Sequence, residues 1–339
     1  MTDHVTGQTP RLTPAEDFLV DTKVDIKIDK APRDAPKEKK RGNVGPYKLD
    51  RRIEGGKAEC WFCVDTRDGS KKFLKKFPSP KMPSAEERAF DRPAYDLQVE
   101  QCELFLQHHQ SVALDLTNER VGNGSLVRPL DSFWHESSFF KIYPYLDDLK
   151  PLNFKNVNSW NSQQRLLAIR SIFFAMRELH NCQIVHADIK LENIHLVEVP
   201  SGLVARLIDF DDSYRVESPP PASVLGGTED FYSPEVLVHK RFAESSVALS
   251  LGMHSDLFSL SLALHEAFSP RGIKPRWSGD EADAGFHALA GDKVNYESLG
   301  TGKSLLEYRL RKCLSLDPAE RPRISELLSA CGTNLGCVA

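Results

Sequence analysis

Apolar positions are sparse through residues 1–45, which are rich in Thr, Pro, Lys and Asp and carry the charge run Lys37-Glu38-Lys39-Lys40-Arg41. So polar a segment buries too little to offset the entropy of ordering it, and a disordered or linker tail is expected there. From Tyr47 the texture changes to short β-like runs: YKLDRRI, ECWFCVD and KKFLKKF, then SLVRPLDSFW and SFFKIYPYL. Between these two groups, Asp91–His109 has helical spacing. Asp91 suits an N-cap, Pro93 suits an early helical position, and Leu97, Cys102, Leu104 and Phe105 form an approximate apolar stripe.

The second half is patterned for helices. Leu166, Ile169, Ile172, Phe173, Met176 and Leu179 recur at three- and four-residue steps, with Asn181 as a plausible left-handed stop. The run DLFSLSLALHEAF is apolar on nearly every side and predicts a central buried helix; ISELLSA is short and amphipathic. The pattern therefore predicts an α+β chain. A small β lobe with one main helix (46–146) precedes a larger, mainly helical lobe (147–335) and a short tail (336–339), with any ligand cleft at the junction of the lobes.

A chain of 339 residues can bury two such cores. Its 44 basic and 48 acidic residues leave a formal charge of −4, so no single-sign field points to a nucleic-acid partner. The first twenty residues lack a signal-like apolar core and no later run is long enough to span a bilayer, which predicts no membrane partner and a cytoplasmic location. Seven scattered cysteines do not suggest a disulfide framework. Cys60 and Cys63 lack a second ligand pair, so two buried thiols in an aromatic strand are expected.

Candidate chemistry concentrates in QIVHADIKLENIHLVEV, whose apolar flanks predict two short buried strands holding a polar loop. Asp188, Lys190 and Asn193 can then converge. A carboxylate can orient a hydroxyl or take its proton, an ammonium can neutralise a migrating anion, and a carboxamide oxygen can ligate a hard cation. Sixteen residues beyond Asn193, the apolar run LIDFDDS ends a strand at Asp209, a second oxygen donor. That set suits Mg²⁺-assisted phosphoryl transfer.

These residues carry a resemblance to the eukaryotic-type protein kinase domain. HADIKLEN resembles the catalytic loop H-R-D-x-K-x-x-N, Asp209-Phe210-Asp211 resembles D-F-G, and GTEDFYSPE (227–235) resembles the segment that closes the activation loop. The similarity runs from about Tyr47 to Ala330. It implies a bilobal kinase-like fold using ATP and Mg²⁺, with a protein substrate whose identity stays open. In that family pattern Asp188 handles the acceptor hydroxyl, Lys190 contacts the γ-phosphate, and Asn193 and Asp209 hold the metal. Lys75 meets the α- and β-phosphates, and Lys at 190 is the serine/threonine choice. Phe73, Lys75 and Phe77 share one strand face, which favours Lys75 over Lys76. The helix partner of Lys75 is expected to be Glu100 rather than Glu103, because apolar Leu104 follows Glu100 by four and would pack behind Phe210. Tyr143 resembles the gatekeeper, Pro144 and Leu146 the adenine-binding hinge, and His195 the floor of the adenine slot. His186, Asp256 and the pair Glu235–Arg321 resemble the structural braces.

The pattern also departs from the family. Ala187 replaces the arginine that grips a phosphorylated activation loop, so activity without such phosphorylation is expected. In IEGGKAECWF, Gly56 matches the central glycine of the phosphate loop, while Glu54 and Glu59 stand at the flanking glycines. Trp61 and Phe73 are expected to roof the adenine. Asp211 in place of glycine adds a carboxylate near the metal and predicts a loop that is locked rather than switched. The expected function is a Ser/Thr protein kinase. The alternatives are a pseudokinase acting as a nucleotide-binding or scaffolding module, and a small-molecule kinase. The lysine at 190 and GTEDFYSPE both speak against the last of these.

Overall fold

Strands β1 (Asn43–Val44), β2 (Tyr47–Ile53), β3 (Glu59–Asp65), β4 (Lys71–Lys76), β5 (Asp131–His135) and β6 (Ser138–Pro144) form one antiparallel sheet in the order β1-β2-β3-β4-β6-β5. The structure, a computed structural model, describes residues 42–53, 58–117, 124–146, 150–200, 202–242, 250–278 and 284–332. The sheet opens earlier than expected, since Asn43–Val44 folds back on Tyr47–Lys48 through a turn at Gly45, whose φ of 54° suits glycine.

Strand alternation divides the sheet into two faces. Val44, Tyr47, Cys63, Leu74, Phe140 and Ile142 form a core on one side, with Trp61 against it. Opposite registers place Cys60 across from Lys75 and Phe62 across from Phe73, on the other side. Cys60 and Cys63 therefore face different ways, and only Cys63 is buried. The expected strand SLVRPLDSFW is cut short. Pro129 has no N–H for a ladder, and the segment ahead of it pairs elsewhere: Val127 N–H donates to Leu207 O (2.9 Å) and Leu207 N–H to Ser125 O (2.8 Å).

After the short helix α1 (Ala85–Phe90), α2 spans Arg92–Asp115, longer than expected. Asp91 caps it by accepting from Ala94 N–H, and Pro93 sits in its first turn as expected. Its buried positions are Cys102, His109 and Val112, whereas Leu97 and Leu104 are 57% and 58% exposed. The stripe runs 102, 105, 109, 112, at alternating three- and four-residue steps, and so turns the expected Leu97 and Leu104 outward.

The C-terminal part continues with β7 (Lys150–Pro151), α3 (Phe154–Val157), α4 (Ser162–Asn181), β8 (Ile184–Val185), β9 (Ile194–Val199), β10 (Gly202–Leu207) and β11 (Tyr214–Arg215). Helices α5 (Pro234–Phe242), α6 (Met253–Phe268), α7 (Ala284–Leu289), α8 (Ser304–Lys312) and α9 (Ile324–Ala330) follow. Helix α4 starts in a reciprocal cap between Asn161 and Gln164, and buries Leu166, Ile169, Ile172, Phe173, Met176 and Leu179 as its periodicity predicts. The left-handed residue after it is Gln183 (φ 59°), not Asn181. Helix α6 is buried on nearly all sides, as its composition predicts. One continuous core joins α4, α6, β9, β10 and Phe210 to the end of α2 through Val112 and Leu116. Among the described residues, no helix is long and apolar enough to cross a membrane.

Candidate active site

The polar loop expected between two buried strands is there. Chain reversal between β8 and β9 holds residues 186–193 over the N-terminal part of α6. Asp256, 1% exposed, braces this loop from beneath. Its carboxylate accepts from His186 N–H (2.9 Å), Ala187 N–H (3.0 Å) and the His180 ring (3.1 Å). Two of these donors are main-chain groups, so the brace does not need an arginine at 187. It holds Ala187 in the left-handed region, φ 65°. His186 bonds Ile208 O through Nε2 (3.1 Å) and packs its ring on Phe210 at 5.0 Å.

Asp188 lies at the centre. Its Oδ2 accepts from Lys190 Nζ (2.7 Å) and Asn193 Nδ2 (3.0 Å), and its Oδ1 from the Thr228 hydroxyl (2.6 Å). Lys190 also reaches Thr228 Oγ1 at 2.8 Å, and Asn193 Nδ2 bonds the Asp188 carbonyl at 2.8 Å. Burial alone would raise the Asp188 pKa, but the hydrogen bonds from Lys190 and Thr228 outweigh it and hold the carboxyl below its ordinary value. The residues HADIKLEN and GTEDFYSPE thus meet at one carboxylate. Gly227 permits the approach: at φ 102°, a Cβ there would lie 2.5 Å from Ala187 O.

Asn193 and Asp209 sit side by side at the ends of the β9–β10 hairpin. Ile194 pairs with Leu207, and Ile208 N–H donates to Asn193 O at 3.1 Å. Asp209 takes φ 65° and accepts from Lys75 Nζ at 2.6 Å. Burial first, and then the charge of Asp211, raise the Asp209 pKa against the pull of Lys75. A carboxylate and a carboxamide on adjoining strands fit a hard cation that completes its shell with phosphate oxygens and water. A buried acid with a raised pKa also gains from such a cation.

The expected pairing of Lys75 with Glu100 is not made. Glu100 and Glu103 are both exposed, because packing of the 102-105-109-112 stripe rotates them away from the sheet. Leu104 is correspondingly outward and does not back Phe210. The inward position is Phe105, packed on Phe77 (5.7 Å), Phe139 (5.1 Å) and His109 (4.3 Å). Lys75 bonds Asp211 Oδ2 instead, at 2.5 Å.

Lys141, 2% exposed, bonds Asp211 Oδ1 at 2.6 Å and His109 Nδ1 at 3.0 Å. Sequence reasoning passed over Lys141 and His109. The available signal was a lone cation in the apolar run SFFKIYP, on the alternation that Tyr143 also occupies.

The adenine side differs from expectation at Trp61, which faces the outer core; Cys60 and Phe62 take the inner face with Phe73. Phe62 meets Phe73 edge-on at 6.2 Å and Tyr145 at 5.2 Å, and Phe73 meets Tyr143 at 6.0 Å. Pro144 ends β6 opposite Lys72, and half-buried Leu146 follows it. His195 is half-buried on β9 with Nε2 3.0 Å from Glu192 O. Gly56 and Glu54 lie outside the described residues. Arg321 forks onto Glu235 with both contacts at 2.7 Å, as the resemblance implies.

Comparison with known proteins agrees with this geometry. Residues 118–330 match the family described as "Protein kinase domain", and the chain belongs to that family. It is 27% identical over 173 residues to a calcium and calcium/calmodulin-dependent serine/threonine-protein kinase of Pisum sativum, covering 51% of this chain and 31% of the relative. A probable serine/threonine-protein kinase mps1 of Dictyostelium discoideum is 30% identical over 194 residues (54% of this chain, 18% of the relative). Mitogen-activated protein kinase kinase kinase 5 of Homo sapiens is 26% identical over 226 residues (65% and 15%). The chain thus spans under a third of the length of these relatives.

Proposed function

We propose that this chain is a cytoplasmic serine/threonine protein kinase that transfers the γ-phosphoryl group of ATP to a protein hydroxyl, without needing phosphorylation of its own activation segment. The observation that carries this reading is the Asp188 centre, a carboxylate kept ionised and aimed by Lys190, Asn193 and Thr228 on a loop braced by Asp256. Asp188 orients the acceptor hydroxyl and takes its proton late, since its low pKa makes it a weak base. Lys190, bonded to Asp188, offsets the charge that builds on the transferred group. Asn193 and Asp209 would hold Mg²⁺, and Lys75 would meet the phosphates. Bound Mg²⁺ supplies neutralisation of phosphate charge.

Two features support independence from phosphorylation. Ala187 offers no cation to a phosphate, and Arg215 already pairs with Asp115 on α2 through bonds of 2.6 and 3.0 Å. A permanent carboxylate thereby ties the segment down.

The row Phe62, Phe73, Tyr143 and Tyr145 favours a second reading, a pseudokinase whose adenine slot is occupied by its own rings. Labelled ATP and Mg²⁺ decide between them, using protein co-expressed with a phosphatase and wild type beside Asp188→Asn. The kinase reading expects transfer by wild type and a fall of about 10²–10⁴-fold in the variant. Equal signal from both would trace the activity to a contaminant. A wild type with neither transfer nor an ATP-dependent thermal shift would establish the pseudokinase.

A further inference from the structure

Lys75 and Lys141 are direct cross-strand partners on β4 and β6 and share one face. Side chains so placed start about 5 Å apart, and like charges there repel. Both ammonium groups are withdrawn from water, at 14% and 2% side-chain exposure. Such a pair is untenable without an anion between the two charges. Asp211 is that anion: Oδ2 lies 2.5 Å from Lys75 Nζ and Oδ1 lies 2.6 Å from Lys141 Nζ. Tyr143 adds its hydroxyl at 3.4 Å from Oδ1, and His109 accepts from Lys141 at 3.0 Å. Helix α2 presents Phe105 and His109 to this cluster, while its carboxylates at 100 and 103 face solvent.

We propose that Asp211 is the positioning residue of Lys75, supplying from the activation segment the carboxylate that helix α2 does not. Its significance for catalysis rests on the kinase reading above. Two consequences follow. Lys75 is aimed by the loop that carries Asp209, so its placement does not depend on where α2 sits. Turning Asp211 out of the cluster would strand buried Lys141 and leave Lys75 with Asp209 alone, which holds the loop in one conformation.

The test must separate positioning of Lys75 from mere neutralisation of Lys141. Asp211→Asn alone leaves Lys141 unpaired and risks misfolding, so the informative pair is Lys141→Met beside Lys141→Met/Asp211→Asn, in which the buried charge is removed together with its counterion. Both are first checked for a cooperative melt. Two quantities are then read: affinity for Mg·ATP, and the acylation rate of Lys75 by an amine-reactive ester, followed by mass spectrometry against surface lysines of the same sample.

The double variant is expected to bind Mg·ATP at least about ten-fold more weakly than Lys141→Met, with KM for ATP raised more than kcat falls. Its Lys75 is expected to acylate at least about three-fold faster. Glu100→Gln should match wild type in both. The proposal is overturned if the double variant equals Lys141→Met in both readouts, or if Glu100→Gln reproduces the loss. A wild type that binds no nucleotide sinks the kinase reading, while the acylation comparison still decides the role of Asp211.

Discussion

Arg321 has five N–H donors and five acceptors around it, and the count closes. Nε bonds Ser315 O (3.0 Å), Nη1 bonds Glu235 Oε1 (2.7 Å) and His254 O (3.0 Å), and Nη2 bonds Glu235 Oε2 (2.7 Å) and Leu316 O (3.3 Å). Glu235 takes one more bond, from Ser255 Oγ at 2.7 Å, and the two side chains are 0% and 5% exposed. Burial would raise the Glu235 pKa, but Arg321 outweighs it and keeps the carboxylate ionised.

Glu235→Gln keeps the shape but turns an acceptor into a donor facing Arg321, leaving a buried guanidinium without its counterion. Breaking a buried pair this way costs about 3–5 kcal/mol, or roughly 6–20 °C in melting temperature for a lobe of this size. Removing both charges with Glu235→Met/Arg321→Met should recover much of that loss, since apolar replacement of a buried pair is often close to neutral. Urea unfolding of the three proteins measures it. A cost below about 1 kcal/mol for Glu235→Gln, or a double variant no better than the single, would refute the reasoning.

His109 is held neutral by burial first and by the neighbouring Lys141, which push its pKa well below the ordinary histidine value. Unfolded, it takes a proton near pH 6.5 and folded it does not, so stability is full above that pH and falls below it, by up to about 1.4 kcal/mol per pH unit. His109→Gln, which retains an acceptor for Lys141, should flatten that slope between pH 6.5 and 5.5; an unchanged profile would count against it. Gly227→Ala forces a Cβ to within 2.5 Å of Ala187 O at φ 102° and should cost most of the proposed transfer activity, whereas activity equal to wild type would show that the loop relaxes at no cost.

Much of this site could be read along the chain because it is local. HADIKLEN places Asp188, Lys190 and Asn193 within one short loop, and two buried strands suffice to converge them. Alternation put Lys75 on the face of Phe73 and Phe77, and there it meets Asp209, since a strand has only two faces. The resemblance put Trp61 over the adenine, whereas the register opposing Phe62 to Phe73 and Trp61 to Leu74, set by pairing between strands, turns it to the outer core.

Order and spacing of the candidate groups therefore came from sequence: which acid sits on the loop, which carboxamide and carboxylate adjoin on neighbouring strands, which arginine meets Glu235. Where the counterion of Lys75 comes from was settled only in three dimensions. On helix α2 the aromatic packing of Phe105 against Phe77 and Phe139 sets the inward face, turning Glu100 out. Once that face is apolar, a buried ammonium pair must find its anion elsewhere. Asp211, two residues past Asp209, is within reach only because the activation segment folds back beneath the sheet.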